Sequence, residues 1–186
     1  MQHQDEVWQE LGFNGERIGG VLPSEFDNVN VKLFSGAVVM LYRFRNGEVE
    51  FLFQHRAKIL NMDADKWDIS AGGHTNLDEE MLDAAVREAE EEIGVKIDAN
   101  NLEIAAMYRR WEGKREAFVA LYFYDWGSGN DDFCFDDGEV EEVKWVRYSE
   151  LGDFWPNLKS ILVEDVIFRH YLDEWNARVL KRNENL

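Results

Sequence analysis

The sequence predicts an α/β fold in which helices cover both faces of a central mixed β-sheet. Three observations carry that expectation. Apolar runs of strand length recur between turn residues, and two segments, one in mid-chain and one near the end, repeat apolar residues at helical spacing. No shift in composition divides the 186 residues, which read as a single domain over 1–186.

Residues 6–22 hold two short β-like runs, EVWQE and RIGGVL, around Phe13-Asn14-Gly15-Glu16, and Asn-Gly marks an N-terminal hairpin. VKLFSGAVVMLYR (31–43) reads as a buried strand, joined by Arg45-Asn46-Gly47-Glu48 to an antiparallel neighbour at 49–56. After the loop AKILNMDADK comes WDISAGGH (67–74), a short strand ending in glycines that allow close backbone approach to a ligand. Residues 102–111 and 115–126 flank Glu112-Gly113-Lys114 as a long hairpin, and the acidic loop 127–138 can cover a site. EVEEVKWVRY (139–148) is a further strand, SELGDFW a short helical turn, and Pro156 breaks the chain before a final helix over 159–181. That helix presents Ile161, Leu162, Val166, Phe168, Leu172, Trp175 and Val179 to the sheet.

The mid-chain helix, expected over 79–93, carries the chemistry. Leu82, Ala85, Val86, Ala89 and Ile93 form its apolar stripe, with Asp78 as expected N-cap and Gly94 as left-handed C-cap. Beside that stripe, Glu88, Glu91 and Glu92 stand at i, i+3 and i+4 on one face. Three ionised carboxylates so close raise one another's pKa, and a hard divalent ion such as Mg²⁺, with Mn²⁺ as an alternative, stabilises them as a trianion. The plain alternative is a solvated Glu-rich helix face.

Composition narrows the partners. A formal charge of −18 argues against nucleic acid or an anionic membrane, both of which need a basic surface. MQHQDEVWQE lacks a basic-then-apolar leader pattern, and no apolar run approaches the roughly 20 residues of a spanning helix, so a cytoplasmic location is expected. Cys134 is the single cysteine, set among acidic residues that disfavour a thiolate, and reads as inert.

Gly73, five residues, Glu79, seven residues, then Arg87-Glu88-Ala89-x-Glu91-Glu92-x-Gly94-Val95 resembles the Nudix box at every fixed position. Ala89 is the one departure, standing where the family pattern has a bulkier aliphatic residue. The resemblance implies an α/β/α sandwich with a central mixed sheet, and Mg²⁺-dependent hydrolysis of a phosphoanhydride by water attack at phosphorus. It implies Glu91 and Glu92 as inner metal ligands, Glu88 completing the set or ordering a metal-bound water, and an Arg87–Glu79 ion pair that orients the helix. A further carboxylate from a late loop or strand is also implied, acting as base or second-metal ligand; Glu139 is the first choice, with Glu141 and Glu142 as alternatives.

For the rest of the site, Arg56 and Lys58 are the best basic pair for a diphosphate, Gly72, Gly73 and His74 at the start of the motif are expected to meet the substrate, and Trp111, Phe133 and Phe135 can stack a flat group. The expected partner is a small-molecule diphosphate, a nucleoside triphosphate or a nucleoside diphosphate linked to another group, and homodimerisation stays open. QHRAK followed by WDISAGGH also resembles the isopentenyl-diphosphate isomerase-like subgroup. Here, however, Gly72 stands where those isomerases carry a cysteine, and Lys32-Leu33 near their early histidines. A non-catalytic nucleotide-sensing Nudix module is the remaining alternative, weakened by the presence of all three glutamates.

Overall fold

The computed structural model of the chain describes residues 6–22, 33–60, 63–112, 115–127, 129–158 and 166–184. Outside them lie the expected start of the last helix, with Ile161 and Leu162, and the turn residues Gly113 and Lys114; nothing is described of the Trp111 side chain.

Strand β3 (Leu33–Arg45) is the spine of the sheet. One edge of it pairs in parallel with β8 (Arg115–Asp125) from Leu33↔Glu116 to Tyr42↔Asp125. The other edge is shared by three strands in succession. β1 (Trp8–Leu11) takes Leu33 and Phe34, β6 (Ala71–His74) takes Gly36 to Val39, and β4 (Glu48–Arg56) takes Tyr42 to Arg45. β2 (Arg17–Val21) closes the N-terminal hairpin on β1, and β7 (Leu102–Glu112) pairs with β8. Past Phe51 the β3-facing edge of β4 pairs instead with β5 (Trp67–Asp68), while its other edge pairs with β9 (Val140–Arg147) from Glu50 to Arg56. The sheet therefore has two wings that share β3 and β4 at one end and part at the other.

Side-chain alternation along β3 explains why both faces are covered. Val38, Met40 and Tyr42 point to one core, with Phe51 and Phe53 of β4 and Leu121 and Phe123 of β8. Ala37, Val39 and Leu41 point to the other, with Leu52 and Ala120. The first core is capped by the short α2 (Leu151–Phe154) and by α3 (Val166–Asn183), whose Phe168, Leu172, Trp175 and Val179 are buried. The Trp175 ring stacks on Phe123 at 4.2 Å between centroids and meets Tyr42 edge-on at 5.8 Å. Burial pushes the Tyr42 hydroxyl up to about 12, with Asp125 adding to the effect. The second core is capped by α1 (Met81–Ile93). The chain thus forms the α/β/α sandwich with a central mixed sheet.

Three local expectations need correction. WDISAGGH is two strands rather than one: Trp67–Asp68 pairs with β4, while Ala71–His74 pairs with β3. The turn between them sends the backbone from one wing to the other. Helix α1 begins at Met81 rather than 79, and Glu80 occupies the N-cap with no side-chain hydrogen bond. Asp78 is no cap, because it adopts φ +65° in the preceding turn, where its N–H donates to Gln9 Oε1 at 3.0 Å. At the other end, Gly94 takes φ +71° and a Cβ there would come within 2.7 Å of Cys134 Cβ, so glycine is needed for both conformation and space.

Trp175 joins α3 to the sheet, so Trp175→Ala should lower stability by about 3–5 kcal/mol. Urea unfolding measures this; a loss below about 1 kcal/mol would contradict the packing described.

Candidate active site

The inner face of α1 is made of Ala84, Ala85 and Ala89, all fully buried, which lets the helix lie close on the glycine strand β6. At the position where the family pattern has a larger aliphatic residue, Ala89 brings the backbone nearer. Closeness has a direct consequence for Gly73: a Cβ there would overlap the Glu88 carboxylate. Glycine at the first motif position is what leaves the carboxylate room beside the strand.

Arg87 organises the acidic face. Its Nε and Nη2 donate to the two oxygens of Glu79 at 2.9 and 3.0 Å, and Nη2 also donates to the His74 carbonyl at 2.9 Å. Nη1 donates to Glu88 and Glu91, each at 2.8 Å. Burial works against charge on Glu79, yet the hydrogen bonds from Arg87 and the Asn76 N–H hold its carboxyl below the usual range. Burial alone would favour loss of the Arg87 proton, but the surrounding glutamates push its pKa up instead. One guanidinium thus ties helix, preceding turn and glycine strand together.

Glu92 is only 3% exposed and faces the sheet, accepting from the Gly72 N–H at 2.8 Å and Gln54 Nε2 at 3.1 Å. Burial, and next the Glu88 charge, push its pKa well above the usual carboxylate value, against the pull of the Gly72 N–H and Arg56. Burial also pushes Glu88 up to about 7 despite Arg87.

A cleft of about 290 Å³ opens here between the parted wings. Glu88, Glu91, Glu92, Gly72, Gly73 and His74 all line it, as do Arg56 and Glu139. Glu139 is close enough to disfavour charge on Glu92. Lys58 stands outside, 64% exposed and within 3.8 Å of Glu141 and 3.7 Å of Asp65, and neither Glu141 nor Glu142 lines the cleft. Phe133 and Phe135 are not in its wall either; they pack on the core beneath α1, with Phe133 against Trp126. The Cys134 thiol is exposed but pushed up by Asp136, in keeping with an inert residue.

The three motif glutamates share the cleft, but their oxygens do not converge. Among the described residues no three His, Cys, Asp or Glu side chains are grouped to hold a metal. The reason is visible in their partners: Arg87 takes Glu88 and Glu91, whereas Gly72 and Gln54 take Glu92. The donor set nevertheless suits a hard divalent ion, being all oxygen, with two carboxylates whose negative charge burial disfavours and a third, Glu91, at 34% side-chain exposure and able to swing.

Other cleft residues escaped sequence reasoning. Trp8 stacks on His74 at 4.1 Å and 13°, so the rings at the cleft come from the N-terminal hairpin and the motif edge. The hairpin is seated there by backbone bonds from Gln9 N–H to the Thr75 carbonyl and from Leu77 N–H to the Val7 carbonyl. Asp63, Asp68, Asp137 and Arg110 also line the cleft. For Arg110 a signal existed: two adjacent arginines in a strand face opposite sides, so one of Arg109 and Arg110 had to face inward.

The NUDIX domain family profile matches residues 32–165, and the fold and box agree with it. The chain belongs to the Nudix superfamily. No curated protein matches the sequence significantly. Among solved structures it is similar to DR0079 from Deinococcus radiodurans, with 19% identity over 86% of this chain and 96% of that one and a TM-score of 0.67. It is also similar to the Ap4A hydrolase of C. elegans in a binary complex, with 19% identity, coverage of 78% and 97%, and a TM-score of 0.60. A third is the NUDIX domain of Shewanella oneidensis NrtR complexed with ADP ribose, with 13% identity, coverage of 70% and 85%, and a TM-score of 0.55. At these identities the likeness establishes the fold. No helix among the described residues is long and apolar enough to cross a membrane.

The raised carboxyls set a pH dependence for the metal-free protein. A glutamate in the unfolded chain titrates near 4.5 and Glu88 in the folded one near 7, so between these values the folded state holds a proton the unfolded state has lost. Its contribution to stability is full below about 4.5 and is lost as pH rises through about 7; Glu92 acts in the same direction. In EDTA the urea midpoint should fall from pH 5 to pH 8, and Glu88→Gln should flatten that fall. An equal fall in parent and variant would contradict the assignment.

Proposed function

We propose that the chain is a Mg²⁺-dependent hydrolase that cleaves a phosphoanhydride bond in a nucleoside triphosphate or a nucleoside-diphosphate-linked substrate, by water attack at phosphorus. The observation that carries this reading is the burial of Glu92 and Glu88 beside Glu91 on the wall of one cleft, where their negative charges are disfavoured. Glu88, Glu91 and Glu92 would hold Mg²⁺, or Mn²⁺ in its place, which supplies charge neutralisation at the phosphoryl oxygens and lowers the pKa of a bound water. The chain's own residues do the rest. Arg87 and Glu79 hold α1 against β6, while on the cleft wall Glu139 would accept a proton from the attacking water and Arg56 would pair with a phosphoryl oxygen. Trp8 and His74 present a ring face to the remainder of the substrate.

Isomerisation of the isopentenyl diphosphate type has no support at Gly72. A Cβ there would come within 2.6 Å of Val38 Cγ1 and 2.8 Å of the Ala37 carbonyl oxygen, so the backbone leaves no room for a thiol side chain. A ligand-sensing module without turnover is the other alternative, and an activity panel decides between them.

Nucleotide sugars, dinucleotides, ADP-ribose, modified nucleoside triphosphates and small phosphoesters should be tested with Mg²⁺ and Mn²⁺. The expected result is metal-dependent release of phosphate or a nucleoside monophosphate, with Glu92→Gln lowering kcat at least about a hundredfold at saturating metal. A variant retaining more than about a tenth of the parent kcat would remove Glu92 from the site. Conversion of added isopentenyl diphosphate to dimethylallyl diphosphate, without phosphate release, would overturn hydrolysis altogether.

A further inference from the structure

Strand β4 alternates between the two cores, Phe51 and Phe53 entering the one beneath α3 and Leu52 the one beneath α1, so position 54 also faces α1. An apolar residue would suit that place. The chain has a glutamine there, only 1% exposed, whose Nε2 donates to Glu92 Oε2 at 3.1 Å. Its own Oε1 is buried with no hydrogen-bond partner among the described residues. A buried oxygen left without a donor destabilises the fold, so packing alone would favour leucine or methionine at this position. What the amide supplies is its N–H.

That N–H meets one particular atom. Glu92 Oε2 also accepts the Gly72 N–H at 2.8 Å, so both hydrogen bonds to this carboxylate fall on the same oxygen and fill its two lone pairs. Oε1 accepts none among the described residues, and Glu92 lines the cleft. The two donors come from opposite wings: Gly72 from β6, which pairs with β3, and Gln54 from β4 where its edge has passed from β3 to Asp68 of β5. Glu92 therefore stands at the fork of the sheet, held from both sides. A single donor would leave the carboxylate free to turn about its last bond, and the second donor fixes which oxygen remains for the cleft.

We propose that Gln54 is a positioning residue for the Glu92 carboxylate: together with the Gly72 N–H it occupies Oε2 and presents Oε1 to the divalent cation. Gln54 lies outside both the motif and the cleft wall, so it acts through Glu92 and touches neither cation nor substrate. This rests on the cation-dependent reading above, but its test does not need turnover.

Binding of Mn²⁺ to the metal-free protein, followed by loss of the free-ion paramagnetic resonance signal, reads the effect. Gln54→Met keeps the volume and removes the donor, and should raise the Mn²⁺ dissociation constant about tenfold or more, as residues that orient a metal ligand do. In the Glu92→Gln background, which retains Glu88 and Glu91, the same substitution should change it less than about twofold, because its effect runs through Glu92 alone. Melting curves identify a variant that fails to fold; Gln54→Asn, whose amide is one methylene short of Glu92, then takes the place of Gln54→Met. Parental affinity in a folded Gln54 variant overturns the proposal, and so does a parent that binds no Mn²⁺ at millimolar concentration. An equal loss in both backgrounds also overturns it, since a general disturbance of packing would act without Glu92. A loss confined to the protein with Glu92 intact, with no hydrolysis of any substrate, would keep Gln54 in this role and remove the hydrolase reading. Hydrolysis by a parent whose Gln54→Met variant binds Mn²⁺ normally would do the reverse.

Discussion

Like charges packed against an apolar helix face are unstable unless something fixes their geometry, and in this chain one guanidinium does so. Arg87 bonds Glu79, Glu88, Glu91 and the His74 carbonyl at 2.8–3.0 Å, joining the turn before α1, its acidic face and the glycine strand. Half-buried ion pairs of this kind add little net stability, because desolvation offsets much of the attraction. What they provide is position. With Arg87 in place, Glu92 is turned inward to the Gly72 N–H and Glu91 outward to solvent, so the carboxylates are spread along the cleft wall rather than clustered.

That arrangement depends on absent side chains as much as on present ones. The alanines of α1 and the glycines of β6 bring helix and strand so close that a methyl group at Gly73 would overlap Glu88, and one at Gly72 would meet the backbone of β3. Close approach is what buries Glu88 and Glu92 and raises their pKa. The parting of the two wings past Phe51 of β4 then opens a cleft at the same place. Burial disfavours charge, and in the proposed function a cation and an anionic substrate entering the cleft would restore it.

Much of this was legible in the sequence. Periodicity located the hairpins, the α1 stripe and the Trp175 face of α3, and motif spacing located the three glutamates with Arg87 and Glu79. Long-range placement was less legible. Residues of the first hairpin reach the motif edge through Gln9 and Leu77, so Trp8 meets His74 across 66 positions of sequence, 74 minus 8. Lys58 and Arg56 are two apart and share a sequence signature, but β4 ends between them and only Arg56 stays in the cleft. Phe133 and Phe135 had the composition of a stacking platform and went to the core beneath α1 instead, because an apolar ring gains more there than in an open loop. Asp78 had the chemistry of an N-cap, but the hydrogen bond from its N–H to Gln9 holds it in the left-handed turn.

The acidic wall of this cleft is proposed as a divalent-cation site organised by Arg87. Crystals soaked in Mn²⁺ and measured at a wavelength where manganese scatters anomalously test it most directly. The expected result is an anomalous peak between the carboxylates of Glu88, Glu91 and Glu92, with Glu88 and Glu91 drawn from Arg87 to the metal and Arg87 still bonded to Glu79. A peak elsewhere, with the α1 carboxylates unmoved, would contradict it.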